Sequence, residues 1–152
     1  MTNRQKVPLK DGLQTLPALW ARLYPEAGAA DRLMPLCSGP AADGLVMLDK
    51  PVGACAFLLV QAAADQADII EIGTDPACRR QGLARDLLTT YFDVAAGKGI
   101  ADIFLEVAVD NLPAYQLYLQ SGFVEIGRRN GYYRRGETVI DAVQMHKPIL
   151  SQ

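Results

Sequence analysis

Residues 67–88 read ADIIEIGTDPACRRQGLARDLL, and the change of period inside this stretch decides the fold. Up to Thr74 the apolar and β-branched residues crowd together as in a strand. Beyond the Asp-Pro break, Leu83, Leu87, Leu88, Tyr91 and Ala95 recur at intervals of three and four, the spacing of one helix face. The helix is expected from about 80 to 96, with the GKG of 97–99 as its stop. ADIFLEVAV, residues 101–109, is a second β-rich run. Strand, helix and strand in this order predict a parallel βαβ crossover over residues 67–109.

Working outward, GLVMLD (44–49), ACAFLLV (54–60) and ADIIEIGT (67–74) are joined by short polar or Pro-Gly breaks and predict an antiparallel meander. Before it, Leu13, Leu16, Leu19, Trp20 and Leu23 are spaced as a helix that Pro25 ends. Residues 27–40 read as a short second helix among loops. After the crossover, DNLPAYQLYLQSGF (110–123) predicts a short helix capped by Asp110 or Asn111 and stopped at Gly122. FVEIG (123–127) and TVIDAVQM (138–145) predict two more strands, linked by a Gly- and Arg-rich loop. The expected fold is α/β: a mixed central sheet with an antiparallel N-terminal meander and a parallel βαβ core, flanked by about four helices. With 152 residues, 50% of them hydrophobic, residues 1–152 are expected to form one domain around a sizeable core.

Composition narrows the function. A net charge of −2 with scattered basic residues argues against nucleic acid as a partner. MTNRQKVPLKDG lacks the apolar stretch of a secretory signal, and VGACAFLLV is far shorter than the ~20 residues that cross a bilayer. No membrane association is expected, and a cytoplasmic location is. Three cysteines without CxxC spacing and a single histidine fit reduced thiols better than a disulfide frame or a zinc site, so no metal is expected.

Crowding Arg79, Arg80, Arg85, Gln81 and Gly82 at a helix start has a physical meaning. The first turn of a helix carries unpaired N–H groups and the positive end of the dipole, which together seat an anion. Gly82 and the small Ala84 allow close approach to the backbone, so the expected ligand is a phosphate or pyrophosphate. The stretch has neither GxxxxGK[ST] nor GxGxxG, which disfavours ATP and dinucleotides. A solvated helix cap is the alternative.

Two carboxylates stand out in the flanking strands. Glu106 interrupts IFLEVAV, a run that otherwise reads as buried on both faces. There it loses hydration unless it faces a cleft, as a general base would, or finds a partner such as a nearby arginine, or points to solvent. Glu71 poses the same question one strand earlier. Tyr118 reads by itself as one more core aromatic on an amphipathic helix.

The pattern Arg79-x-x-Gly82-x-Ala84 after a strand and Asp-Pro resembles the pyrophosphate loop of the GNAT superfamily of acetyl-CoA-dependent N-acetyltransferases. EIGTDPACRRQGLARDLL, LEVAVDNLPAYQLYLQSGFVEIGRRNGYY and IDAVQM extend the resemblance over residues 67–147 to its ribosomal-protein N-α-acetyltransferase branch, the RimI type. The resemblance implies acetyl-CoA as co-substrate, held by Arg79, Arg80, Gln81, Gly82, Leu83, Ala84 and Arg85 at the pyrophosphate. Ile72, Gly73 and Thr74 would lie along the pantetheine arm, with a bulge at Gly73, and Asn111 would hydrogen-bond the coenzyme. It implies Glu106 as general base, with Glu71 ranked second, and Tyr118 as the acid for the leaving thiolate. The acceptor implied is a protein N-terminal amine. A small-molecule amine, a lysine side chain, or a silent coenzyme-binding domain are the alternatives. Ala84 in place of the second glycine and Arg134 where the branch often has proline depart from the pattern. The arginines at 128, 129, 134 and 135 read as a solvated loop, with an acceptor-binding rim as the alternative.

Overall fold

The computed structural model describes residues 3–26 and 28–149; Ala27, the first residue of the stretch 27–40, lies outside them. The strands are β1 (Arg4–Pro8), β2 (Ala42–Asp49), β3 (Gly53–Ala63), β4 (Gln66–Thr74), β5 (Asp102–Ala108), β6 (Val124–Arg135) and β7 (Thr138–Pro148). The helices are α1 (Leu9–Gly12), α2 (Leu16–Leu23), α3 (Ala29–Leu33), α4 (Leu83–Gly97) and α5 (Leu112–Gln120). All seven strands join one sheet in the order β1-β2-β3-β4-β5-β7-β6. β4 and β5 are parallel and every other neighbouring pair is antiparallel, so the meander and the βαβ core lie where the sequence puts them.

The sheet is covered on both faces. Under α4, the residues Leu83, Leu87, Leu88, Tyr91 and Ala95 are all buried in a cluster with Leu58, Val60, Ile69, Ile103 and Leu105. Each leucine so buried contributes about 1.5–3 kcal/mol, enough together to fix the helix and therefore its N-terminus. The Tyr91 hydroxyl donates to Asp43 at 2.9 Å, which satisfies its polar end. On the other face Leu16, Leu19, Trp20 and Leu33 pack on Val46, Phe57 and Leu59. Lying between two helical layers, Ala54–Val60 of β3 are buried without a break, the continuous apolar run expected of a doubly covered strand.

Several boundaries differ from the sequence reading. RQKVP forms an unforeseen edge strand, β1, whose mostly polar residues hide its strand character. The first helix is split by a 3-10 turn at Leu13–Thr15. α4 begins at Leu83, three residues later than expected. The Gly- and Arg-rich stretch is no loop: β6 continues through it to Arg135. Among the described residues no helix is long and apolar enough to cross a membrane.

Candidate active site

β4 and β5 part in the middle of the sheet. Their pairing runs from Gln66 opposite Asp102 to Ile69 opposite Leu105 and goes no further, although both strands continue. The cause is in β4. Against β3, Leu59 faces Glu71 while Val60 faces Ile69, so Ile70 is the extra residue of a β-bulge, and a bulge bends its strand. The bulge is therefore at Ile70, not at Gly73 as expected. Gly73 is regularly paired with Phe57 and owes its identity to packing: a Cβ there would lie 2.8 Å from Leu23 Cδ1 and 2.9 Å from Phe57 Cε1. Beyond the bulge, Ile72, Gly73 and Thr74 keep β3 on one side and are unpaired toward β5, leaving backbone groups that an extended ligand can engage.

Glu106 is the first residue of β5 past the last pair. One carboxylate oxygen, Oε1, meets Arg129 Nη2 at 2.8 Å and receives the Gln144 amide at 3.4 Å. The other, Oε2, is buried and has no hydrogen-bond partner among the described residues. The Tyr133 hydroxyl donates to the Glu106 carbonyl at 3.2 Å. Glu106, Asp68, Ile70, Tyr132, Tyr133 and Gln144 line a cavity of about 440 Å³ on this side of the sheet. Burial pushes the Asp68 carboxyl above its usual range.

Glu71 is held differently. The Tyr24 hydroxyl donates to its Oε2 at 2.6 Å, and Arg32 stands 3.9 Å from Oε1. Tyr118 of α5 is 5% exposed, its ring edge-on to Phe123 at 5.6 Å. Burial, then the nearby Glu71 charge and Tyr133, push its hydroxyl well above the ordinary tyrosine range. Tyr133 is pushed to about 12, burial again leading. At neutral pH both phenols are proton donors.

At the other end of the parted strands lies the start of α4. Gly82 occupies its N-cap with φ +73°, and no side chain caps the helix. A Cβ at Gly82 would meet nothing within 4 Å: the backbone is approachable from outside. Thr74, Arg79, Arg80, Gly82, Ala84 and Arg85 border a cavity of about 280 Å³ there, with Cys78, Leu83 and Leu117 completing its wall. Gln81 is exposed beside it. Arg79 Nε donates to the Thr74 carbonyl at 3.4 Å, and Arg85 to the Gln120 side chain. Asn111 caps α5 by accepting from the Ala114 N–H at 3.4 Å.

The residue pattern of the Acetyltransferase (GNAT) family matches residues 13–123 of this chain. The chain belongs to the GNAT family. Within it, this GNAT protein is 38% identical over 94 residues to the [ribosomal protein bS18]-alanine N-acetyltransferase of Escherichia coli K12. That match covers 62% of this chain and 64% of the relative. The crystal structure of the ribosomal-protein-S18-alanine N-acetyltransferase from Escherichia coli superposes with a TM-score of 0.84 at 28% identity, covering 100% of this chain and 96% of that one. Arabidopsis thaliana NAA60 in complex with acetyl-CoA shares the fold, with a TM-score of 0.80 at 17% identity over 97% and 99% of the two chains.

In this GNAT chain Glu106 borders the cavity on one side of the sheet, Arg79, Arg80, Gly82, Leu83, Ala84 and Arg85 border the smaller one at the start of α4, and Tyr118 stands near enough to Glu71 to feel its charge. Five residues were not foreseen in these roles. Tyr24, just past α2, reaches the Glu71 carboxylate, Arg129 of β6 and Gln144 of β7 reach that of Glu106, and Tyr133 of β6 reaches the Glu106 carbonyl; no local spacing announces them. The fifth, Asp75, was legible, because Asp before Pro at a turn is a cap signal. Its side chain accepts from the Ala77 N–H at 3.0 Å and from Arg22 Nε at 2.7 Å, bracing the loop before α4. Those bonds, the Ala77 N–H first, hold its carboxyl below the usual range. Asp75→Asn is expected to lower unfolding free energy by about 1.5–3 kcal/mol at pH 7 in urea titrations. Because the folded pKa is depressed, that advantage is present above pH ~4 and fades as pH falls through the folded value.

Proposed function

We propose that this GNAT chain transfers the acetyl group of acetyl-CoA to the N-terminal α-amino group of a protein. The observation that carries the reading is the parting of β4 and β5 after Ile69 and Leu105, with a free helix start at one end and an unpartnered carboxylate oxygen at the other. The pyrophosphate would rest on the N–H groups at the start of α4, where Gly82 offers no Cβ, with Arg79, Arg80 and Arg85 adding charge. The pantetheine arm would lie along Ile72, Gly73 and Thr74 as an added strand, with Asn111 and Gln81 beside it. The 38% identity over 94 residues to a [ribosomal protein bS18]-alanine N-acetyltransferase supports a protein as the acceptor.

The chemistry then divides among three groups. An α-amine, of pKa ~8, arrives largely as ammonium and must lose a proton before it attacks. Glu106, with its Oε2 free to accept, takes that proton directly or through one water. Holding amine and thioester in line within the opening supplies up to ~7–11 kcal/mol of the barrier reduction. A backbone N–H of the parted β4 meets the tetrahedral oxyanion. Tyr118, kept protonated by its buried setting, delivers a proton to the leaving sulfur.

The raised Tyr118 hydroxyl sets an expected pH profile. kcat/KM rises as the acceptor amine deprotonates near pH ~8 and stays level through pH ~10, where an ordinary tyrosine acid would already be failing. In Tyr118→Phe the plateau falls by about 10²-fold or more, within the usual range for a lost general acid. A wild-type limb descending between pH 8 and 9 would remove the acid role from Tyr118.

Thiol release from acetyl-CoA, measured against N-terminal peptides, lysine peptides and polyamines, tests the function. Preference for an N-terminal peptide is expected. Acetylation of only polyamines or lysines would move the acceptor to those classes, and no acetylation of any would leave a silent coenzyme-binding domain.

A further inference from the structure

A second cluster adjoins this site and shares Cys78 with the wall of the cavity at the start of α4. Against β2, Met47 faces Ala56 while Leu48 faces Ala54. Cys55 is thus the extra residue of a bulge in β3, and a bulge redirects a side chain. Cys55 and Ala56 consequently both join the apolar layer under α4, and Cys55 is buried. The Asp75 N–H donates to the Cys55 carbonyl at 2.8 Å, which draws the loop after β4 over this bulge. Cys78, at the end of the 3-10 turn Pro76–Cys78, is thereby brought to Cys55. Asp49, the last residue of β2, completes the group. The two Sγ atoms and an Asp49 carboxylate oxygen all lie within 4.8 Å of one another.

We propose that Asp49, Cys55 and Cys78 form a binding site for a thiophilic divalent cation of the zinc class. Two sulfurs and one carboxylate suit zinc, cadmium or cobalt, and disfavour magnesium and calcium, which take oxygen ligands. Metal bonds of about 2.3 Å to sulfur and 2.0–2.2 Å to oxygen at tetrahedral angles separate ligand atoms by roughly 3.5–3.8 Å. The observed cluster reaches that by small side-chain rotations. Binding replaces two thiol protons, which pass to solvent, with two metal–sulfur bonds. Two thiolates and a carboxylate around a divalent ion leave a net charge of −1, and Arg4, 3.4 Å from Asp49, balances it. Asp49 and Cys78 are partly exposed, so an ion has an entry path. Zinc sites often show themselves by paired cysteines a few residues apart. Here the ligands come from three separate elements, and only the bulge and the loop bring them together. The site stands whether or not the acetyl-transfer reading does, but it has a consequence for it: Cys78 adjoins Arg79 and walls the cavity at the start of α4. A bound ion would tie that loop to the sheet.

Cobalt(II) added to the fully reduced whole chain provides the test. The expected result is a thiolate-to-cobalt charge-transfer band with strong visible bands of tetrahedral cobalt, saturating at one equivalent and displaced by zinc. Cys78→Ser, at a partly exposed position that tolerates the change, loses most of the charge-transfer intensity. Cys55→Ser does the same if it folds, which circular dichroism checks. Asp49→Asn keeps thiolate bands but needs more cobalt to saturate. Reduced protein that takes up no cobalt overturns the proposal, as do bands of undiminished strength in Cys78→Ser, which would place the metal elsewhere.

Discussion

Glu106→Gln is expected to lower turnover on an N-terminal peptide by about 10²–10⁴-fold, the usual worth of a positioned general base, with acetyl-CoA affinity nearly unchanged. Glutamine keeps the shape of the side chain and leaves the Glu106 backbone carbonyl free to accept from Tyr133. It cannot take a proton from an ammonium. The ion pair it breaks has an Arg129 side chain that is 51% exposed, so the stability lost is about 1 kcal/mol or less. A large fall in kcat with a small fall in stability therefore separates base catalysis from a structural carboxylate. The competing residue is Glu71, whose carboxylate is engaged by Tyr24 and faced by Arg32. If Glu71→Gln abolishes turnover while Glu106→Gln retains it, the base has been assigned to the wrong strand.

Gly82→Val is expected to weaken acetyl-CoA binding by about 10²-fold or more, equivalent to ~2.7 kcal/mol. Two effects combine. At φ +73° a β-branched residue is strained, which tends to reshape the helix start. Its side chain would also fill the open space beside Gly82, where the proposed pyrophosphate must approach the amides. Gly82→Ala separates the two, since it adds much of the strain but little bulk, and its loss should be smaller. Titration calorimetry with acetyl-CoA, alongside thermal melts, reads both. Affinity unchanged in Gly82→Val would contradict an anion seat at this turn, whatever the melting temperature does.

How much of this was legible in the residues follows from their range of influence. The helix stripe from Leu83 to Ala95 and the cap at Asn111 are local signals, and each forms as its spacing says. Membership in the GNAT family likewise rests on contiguous motifs. The parting of the two strands does not: it depends on a bulge at Ile70, in the middle of an unbroken apolar run, where glycine seemed the better marker. β6 was hidden because NGYYRR carries turn residues and charges, yet it is an edge strand with one open side, where such residues are tolerated. Its register shifts between Arg129 and Tyr133. That strand delivers Arg129 to the Glu106 carboxylate and Tyr133 to its carbonyl, so an arginine pair for Glu106 was an open alternative in the sequence while its identity was not. Cys55 and Cys78 show the same limit: their meeting is made by one bulge and one backbone hydrogen bond.

The central claim is that acetyl-CoA lies in the opening between β4 and β5, anchored at the start of α4. A crystal structure of the chain soaked or co-crystallised with acetyl-CoA tests it most directly. The account predicts the pyrophosphate on the amides of residues 82–85, the pantetheine arm paired with Ile72–Thr74, and the thioester near Tyr118 and within a water's reach of Glu106. Coenzyme bound on another face, or β4 and β5 closed together beyond Ile69 and Leu105 in the complex, would contradict it.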